Sequence, residues 1–542
     1  VALLRLNSFS VGFKQTNQPP FLAVNGIQLE LEKGQITGLI GESGSGKSVA
    51  SQSITRLIES AIVKGNAIFN NGDVEIDLLH CEQAELVKIR KRYISYIFQE
   101  PMTALNPLIR CGKQILECAE FPSSELLQSL LEKVELFDWE RIASSYPHEL
   151  SGGQRQRIMI AMALAKEPLL LIADEPTTAL DVAVQNDILK LLTKLCKESE
   201  MAILFITHDL ISLKNFADQI AVMYRGNLVE KGSAESILNK PNHPYTKALL
   251  QSRARYDKRG FKLAEIDHLL SRQNEQLQFV EYKSEELVKD KAGEEEILRL
   301  SEVSKSHFKS GLFSKVETQV LKNINFNICQ GDIVGLIGES GSGKSTIAKL
   351  ILKIWDTTSG SILLKYKNLK DEKDLSKEIQ LVFQDPYSSL NPKQKIGSAL
   401  VEVLASTKAK DTKQKAIALL NEVGLQESDF NKYPHEFSGG QRQRVCIAKA
   451  LAKNPKVIVL DEAVSALDVS VQAKILNLLN QLKREKKLTY LLISHDMNVV
   501  SYFCNKIVVL KNGEIVEIGN TEELVSNPSS QYTKSLLEHS IN

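Results

Sequence analysis

A chain of 542 residues is long enough for two or more domains, each burying its own core. Its formal net charge of +1 supplies no general field for a nucleic acid or an anionic membrane surface. Its longest apolar runs, residues 168–173 and 456–460, are strand length and stop in acids, far short of a membrane span.

No secretory signal is expected at Val1, where a strand-like stretch begins. The seven cysteines (Cys81, Cys111, Cys118, Cys196, Cys329, Cys446 and Cys504) contain no C-x-x-C pair, which suits a reducing compartment and sets up no metal or cluster site.

Residues 35–40 read as a strand, followed by Gly41-Glu42-Ser43-Gly44-Ser45-Gly46-Lys47-Ser48. This is a phosphate-gripping loop: glycines let successive N–H groups face a phosphate, lysine reaches the β/γ oxygens, and the serine hydroxyl is placed for Mg²⁺. Gln99 then precedes the breaker Glu100-Pro101, where a neutral side chain can reach metal or water and move. Helical patterns at 115–119 and 125–134 read as a separate helical lobe.

Ser151-Gly152-Gly153-Gln154 opens a helical pattern over 154–165. A helix N-terminus offers unpaired N–H groups and partial positive charge, so it can bind an anion; a serine cap beside flexible glycines is the alternative. A strand over 169–174 ends in Asp174, placed to hold Mg²⁺ through water, and Glu175, placed to polarise an attacking water. Acids that merely close a strand are the plain alternative. Ala179-Leu180-Asp181 follows, then a strand over 202–207 that presents His208 at the carboxyl edge of the sheet, within reach of a γ-phosphate, and a strand over 219–224.

Residues 253–297 mix acids and bases without an apolar period and read as a linker with at most an amphipathic helix. The series then repeats. A strand at 333–337 leads into Gly338-Glu339-Ser340-Gly341-Ser342-Gly343-Lys344-Ser345. Gln384, a helical pattern at 413–423, Ser438-Gly439-Gly440-Gln441 with a helix over 441–452, Asp461-Glu462, Ala466-Leu467-Asp468 and His495 follow, with strands at 457–461, 489–494 and 506–510. Gln154 and Gln441, Asp174 and Asp461, and His208 and His495 are each 287 residues apart, whereas Lys47 and Lys344 are 297 apart (441 − 154 against 344 − 47). The C-terminal part of each half is in fixed register, and the variable piece lies between the phosphate loop and the glutamine. A second anion site per half makes most sense if it serves the nucleotide of the other half.

Phosphate loop, glutamine, Ser-Gly-Gly-Gln, Asp-Glu, Ala-Leu-Asp and histidine together resemble the ATP-binding cassette (ABC) ATPases, over nearly the whole chain, twice. Residues 174–182, 146–157, 101–107 and the tail Asn242-His243-Pro244-Tyr245-Thr246 resemble the fused dipeptide/oligopeptide/nickel importer ATPases. The resemblance implies an α/β protein with two P-loop NTPase domains, each with a RecA-like core, an antiparallel β subdomain and a helical subdomain, at 1–252 and 298–542 about a linker at 253–297. It implies two ATP molecules with Mg²⁺. One site joins Gly41, Ser43, Gly44, Gly46, Lys47, Ser48, Gln99, Asp174, Glu175 and His208 to Ser438, Gly440 and Gln441. The other joins Gly338, Ser340, Gly341, Gly343, Lys344, Ser345, Gln384, Asp461, Glu462 and His495 to Ser151, Gly153 and Gln154.

By the same resemblance Ser48, Gln99, Asp174, Ser345, Gln384 and Asp461 hold the metal, Glu175, His208, Glu462 and His495 are catalytic, Phe13 and Phe308 stack on adenine, and Asp181 and Asp468 sit at the seam. The implied function is ATP-driven closure that powers peptide import through two separate permease subunits, fed indirectly by a solute-binding protein, at the cytoplasmic face of a bacterial inner membrane. Segments 100–111 and 385–396 are the implied docking surfaces. Nickel, glutathione and opines are alternative solutes, and a soluble twin-cassette ATPase of translation or nucleic acids is the rival class. Its basic linker is absent here, so no nucleic-acid partner is expected. Residues 246–300 hold no cysteine, so no iron–sulfur cluster is expected. Ala463 stands where the first half has Pro176, and Ser530-Gln531-Tyr532-Thr533 is a degraded form of the His-Pro-Tyr-Thr tail.

Overall fold

The computed structural model describes the chain except residues 1, 16–17, 179, 274–275, 288–292, 294, 311–314, 373, 466 and 542, and except the side chains of 18, 272–273, 276, 308–310, 315–316 and 539–541. Ala179 and Ala466 of the Ala-Leu-Asp motifs therefore lie outside the described residues. The chain forms two compact units: Val1–Leu180 with Val184–Gln251 and Ile266–Glu281, and Asp181–Ala183 with Ser252–Glu265 and Tyr282–Asn542.

In the first unit β1 (Leu4–Gln15), β2 (Gln18–Leu31), β4 (Ala61–Asn70) and β5 (Glu75–Asp77) form an antiparallel sheet in the order β2-β1-β4-β5. Its apolar face packs as Leu4, Leu6, Phe9, Leu29 and Phe69 into a core shared with Leu39, Ile172 and Leu204. A six-stranded sheet, β10-β9-β3-β8-β7-β6, comprises β3 (Ile36–Ile40), β6 (Ile94–Ile97), β7 (Leu170–Asp174), β8 (Ala202–Thr207), β9 (Gln219–Tyr224) and β10 (Asn227–Ser233). Strands β3, β7 and β8 are buried at every position, as continuous Leu/Ile runs in a parallel sheet covered on both faces must be. Helices Cys111–Cys118, Ser124–Lys133 and Trp139–Ser144 form the helical part. Ser123 caps the second of these by accepting the Leu126 N–H.

The first unit also holds a short helix, Ile266–Leu269, and a hairpin of β11 (Leu270–Gln273) and β12 (Gln276–Phe279). The sequence pattern allows at most an amphipathic helix in this segment, and the structure adds the two strands. Residues 252–265 place Ala254 and Leu263 in the core of the second unit, and Asn477 closes on the Leu263 backbone in both directions, at 3.0 and 2.9 Å. A balanced charge pattern concealed the few apolar residues that dock this segment.

The second unit repeats the plan. Its antiparallel sheet is β14-β13-β16-β17, from β13 (Glu296–Ser310), β14 (Lys315–Cys329), β16 (Ser359–Leu364) and β17 (Lys367–Asn368). Its main sheet, β18-β19-β20-β15-β21-β22, comprises β15 (Ile333–Ile337), β18 (Ile379–Val382), β19 (Val457–Asp461), β20 (Thr489–Ser494), β21 (Lys506–Lys511) and β22 (Glu514–Asn520). Among the described residues no helix is long and apolar enough to cross a membrane.

Candidate functional site

Topology gathers the motif residues. In the first unit β3, β8, β7 and β6 are successive neighbours, and the loops leaving their carboxyl ends carry Gly41, His208, Glu175 and Gln99. In the second, β15, β20, β19 and β18 deliver Gly338, His495, Glu462 and Gln384 in the same order. Ligands of open α/β sheets bind at this edge.

The phosphate loop enters helix Lys47–Ile54 through Gly46, whose φ of 101° no L side chain adopts readily; a Cβ there would lie 2.3 Å from the Ala23 carbonyl. Gly343, with φ 107°, enters Lys344–Ile351 in the same way. Ser43 and Gly44, like Ser340 and Gly341, lie exposed at the tip of the loop. Lys47 Nζ donates to the carbonyls of Gly41 (2.7 Å) and Glu42 (2.9 Å), and Lys344 to those of Gly338 and Glu339, both at 2.7 Å. Burial pushes the Lys344 ammonium below its ordinary pKa, against the pull of Glu462.

Ser48 Oγ donates to Asp174 Oδ1 at 3.0 Å, and Ser345 Oγ to Asp461 Oδ1 at 3.5 Å. Burial raises the pKa of both aspartates: Glu175 and Glu462 add to the rise, and the serine bonds oppose it. A buried carboxylate beside a hydroxyl, destabilised as an anion, is a hard-oxygen pair that suits Mg²⁺.

Glu175 accepts from Gln99 Nε2 (3.0 Å) and Thr178 Oγ1 (3.0 Å) and pairs with His208 Nδ1 at 3.3 Å. Burial works against its ionisation, but the bond and charge of His208, with Lys47, outweigh it and hold the carboxyl below its ordinary range. Glu462 accepts from Gln384 at 2.7 Å and pairs with His495 at 3.4 Å, with the same net lowering from the same causes, Lys344 replacing Lys47. Both glutamates have φ 47°, a left-handed conformation costly for a side chain of this size, while their N–H groups extend the sheet to the carbonyls of Ile206 and Ile493, each at 2.9 Å. Each carboxylate is thereby turned back toward its histidine.

The signature serines do cap their helices. Ser151 Oγ accepts the Gln154 N–H while Gln154 Oε1 accepts the Ser151 N–H, and Ser438 and Gln441 do the same. The cap forces the helices to begin at Gly152 and Gly439, two residues before the sequence reading. Gly153 and Gly440 are small for packing: a Cβ would lie 2.6 Å from Val184 and 2.3 Å from Val471. First-turn N–H groups still lack helical acceptors.

Phe13 is half-buried on β1, opposite Phe21 of β2, which is 56% exposed and was not singled out in the sequence. The backbone of Phe308 pairs with Glu317, and its side chain lies outside the described residues. Sequence reasoning also missed Tyr96, whose hydroxyl donates to Asp174 Oδ2 at 2.9 Å and meets Ser51 Oγ at 2.9 Å. Leu381 and Ala348 stand in the equivalent places, so comparing the halves could not reveal it.

Comparison with known proteins matches residues 24–178 and 321–465 to the ABC transporter family, and residues 229–276 to the oligopeptide/dipeptide transporter C-terminal region. The chain is a two-cassette ABC ATPase of the oligopeptide/dipeptide importer family. It binds ATP and hydrolyses it to drive transport. It is 40% identical over 99% of its length to the glutathione import ATP-binding protein GsiA of Salmonella paratyphi A, covering 89% of that protein. It is 39% identical to the GsiA of Escherichia coli K12, with the same two coverages. In fold this ABC ATPase is similar to a ribosome-bound archaeal Pelota and ABCE1 model, with TM-score 0.63 and 20% identity over 97% of this chain and 80% of that one.

Proposed function

We propose that this ATPase energises uptake of short peptides through two integral-membrane permease subunits. The observation that carries the reading is the tail after β10, which matches the C-terminal region of oligopeptide/dipeptide transporters. Residues 1–252 and 298–542 act as the cassettes and 253–297 joins them. ATP closes the cassettes, hydrolysis reopens them, and the differential contacts of the two states bias the permease.

Lys47 and Lys344 give up their loop carbonyls for the β/γ-phosphates. Ser48 with Asp174, and Ser345 with Asp461, hold Mg²⁺, which when bound supplies charge neutralisation at the phosphate oxygens. Gln99 and Gln384, bonded to the glutamates in this structure, reach that metal and the attacking water. Glu175 and Glu462, ionised and aimed by their histidines, orient the water and accept its proton, while His208 and His495 bond the γ-phosphate. The signature residues Ser151, Gly153, Gln154, Ser438, Gly440 and Gln441 supply the further anion contacts, and Phe13 and Phe308 the adenine contacts. The permeases dock at 100–111 and 385–396, where Met102, Leu108 and Tyr387 are exposed. This keeps the chain peripheral on the cytoplasmic face, in contact with a solute-binding protein only through the permeases.

A second reading, import of glutathione, is favoured by the 40% identity to GsiA. Uptake of a labelled dipeptide and of labelled glutathione in a deletion strain tests both. Dipeptide uptake is expected to vanish and to return with the wild-type gene. Loss confined to glutathione would select the second reading, and loss of neither would overturn both.

A further inference from the structure

The tail that distinguishes this family also touches the phosphate loop. In the first unit Glu230 of β10 accepts the N–H groups of Asn242 (2.6 Å) and His243 (3.2 Å), and His243 Nδ1 accepts that of Tyr245 at 3.2 Å. These bonds start helix Pro244–Gln251 and fix Tyr245 in its first turn. Tyr245 is wholly buried, stacked on Tyr224 with ring centres 4.2 Å apart. Its hydroxyl oxygen accepts the N–H of Glu42, the second residue of the phosphate loop, at 3.2 Å.

The second unit builds the same device from different residues. Glu517 of β22 accepts the N–H groups of Ser529 (2.7 Å) and Ser530 (3.0 Å), and Ser530 Oγ accepts that of Tyr532 at 3.2 Å. The Tyr532 ring lies under Lys511, 4.5 Å from its ammonium, where the first unit has Tyr224. Its hydroxyl accepts the Glu339 N–H at 3.1 Å. Asn-His-Pro has become Ser-Ser-Gln and the stacking partner has changed from an aromatic to a cation, yet the tyrosine and its bond to the loop persist. The tail that looks degraded in sequence is intact at this atom.

The peptide bonded by each phenol belongs to the residue whose carbonyl accepts the phosphate-gripping lysine: Glu42 for Lys47, Glu339 for Lys344. Each glutamate of the loop is therefore held by its N–H from the tail and by its C=O from the lysine. When the lysine exchanges that carbonyl for phosphate, the phenol is what keeps the start of the loop in place.

We propose that Tyr245 and Tyr532 are positioning residues for ATP. Each pre-sets its phosphate loop, and so ties the docking of the importer-type tail to nucleotide affinity within its own cassette. They touch the loop and neither the nucleotide nor the reacting atoms.

The test uses the full chain with Tyr245→Phe, Tyr532→Phe and the pair, which delete only the hydroxyls. Loss of one such hydrogen bond is expected to raise KM for ATP about three- to ten-fold per site, with kcat at saturation within about two-fold of wild type and the melting temperature lowered by no more than about 2–4 °C. Binding of a fluorescent ATP analogue should weaken by the same factor. Tyr245→Leu, which also removes packing, should lower the melting temperature as well as affinity, separating the tail's structural part from the phenol's. Unchanged KM and affinity in the double Phe variant would overturn the proposal, as would a fall in kcat and melting temperature with KM unmoved.

Discussion

The two cassettes hold the same acids, glutamine and histidine in the same geometry, but they differ in what surrounds those groups. Asp174 is bonded by Ser48 and by Tyr96, itself bonded to Ser51; Asp461 has the Ser345 contact at 3.5 Å, with Leu381 and Ala348 where the tyrosine and second serine would be. Glu175 gains Thr178, whereas the equivalent Ser465 Oγ is buried with no hydrogen-bond partner. The groups proposed to touch ATP, metal and water are retained twice, whereas the hydroxyls that steady the two acids are retained once: Tyr96 and Ser51 for Asp174, Thr178 for Glu175. The two sites therefore share their chemistry and differ in pre-organisation, and the better-wired first site is expected to be the faster.

The comparison breaks most visibly at the glutamates. Glu175→Gln together with Glu462→Gln is expected to cut steady-state ATPase by about 10²–10⁴, the range for losing a general base, with nucleotide binding intact. The single variants sharpen the point: Glu175→Gln should cost more than Glu462→Gln. Equal losses would show that the additional hydroxyls around Asp174 and Glu175 have no bearing on turnover, and unchanged turnover in the double variant would remove both glutamates from catalysis.

A smaller effect is expected from Tyr96→Phe, which deletes a hydrogen bond to a charged group. In a Glu462→Gln background, where only the first site turns over, the Mg²⁺ concentration for half-maximal rate should shift by about ten-fold. The direction follows from Asp174, whose pKa burial already raises: without the phenol bond the ionised form becomes harder to maintain. Measured across Mg²⁺ concentrations, an unshifted curve would leave Tyr96 as packing alone.

Why Tyr96 escaped the sequence while Lys47 did not is a matter of where information sits. The phosphate loop, the buried strands and the strand-end acids are local, each defined by residue types within a few positions of one another, and their duplication made them legible. Tyr96 acts on a carboxylate 78 residues away and Tyr245 on an amide 203 residues away. Such pairings exist only once parallel strands have brought distant loops to one edge. The left-handed backbone at Glu175 and Glu462 was hidden for a different reason: a glutamate there carries no glycine to advertise the turn. In residues 253–297 charge dominates the composition, and the apolar residues that bury, among them Ala254, Leu263, Ala264, Ile266 and Leu269, form no regular period.

The smallest expected effect concerns pH at the second site. His495 is partly buried, which disfavours its charged form, but the bond and charge of Glu462 outweigh that and raise its pKa above the ordinary 6.5. Glu462 moves the other way, below its ordinary 4.5. A raised histidine contributes stability that is complete below 6.5 and is lost as pH rises through its folded value. A lowered carboxyl contributes stability that is present above 4.5 and is lost as pH falls through its folded value. The pair is therefore worth most between these limits, and its benefit declines on the alkaline side. His495→Gln should lower the melting temperature most near pH 5.5 and least above neutrality, by a few degrees at the maximum, since each kcal/mol moves a domain of this size by roughly 2–4 °C. The same substitution should flatten the alkaline limb of the ATPase pH profile in a Glu175→Gln background. A melting difference that grows with pH would reverse the sign of the pairing and leave Glu462 without the cation that aims it.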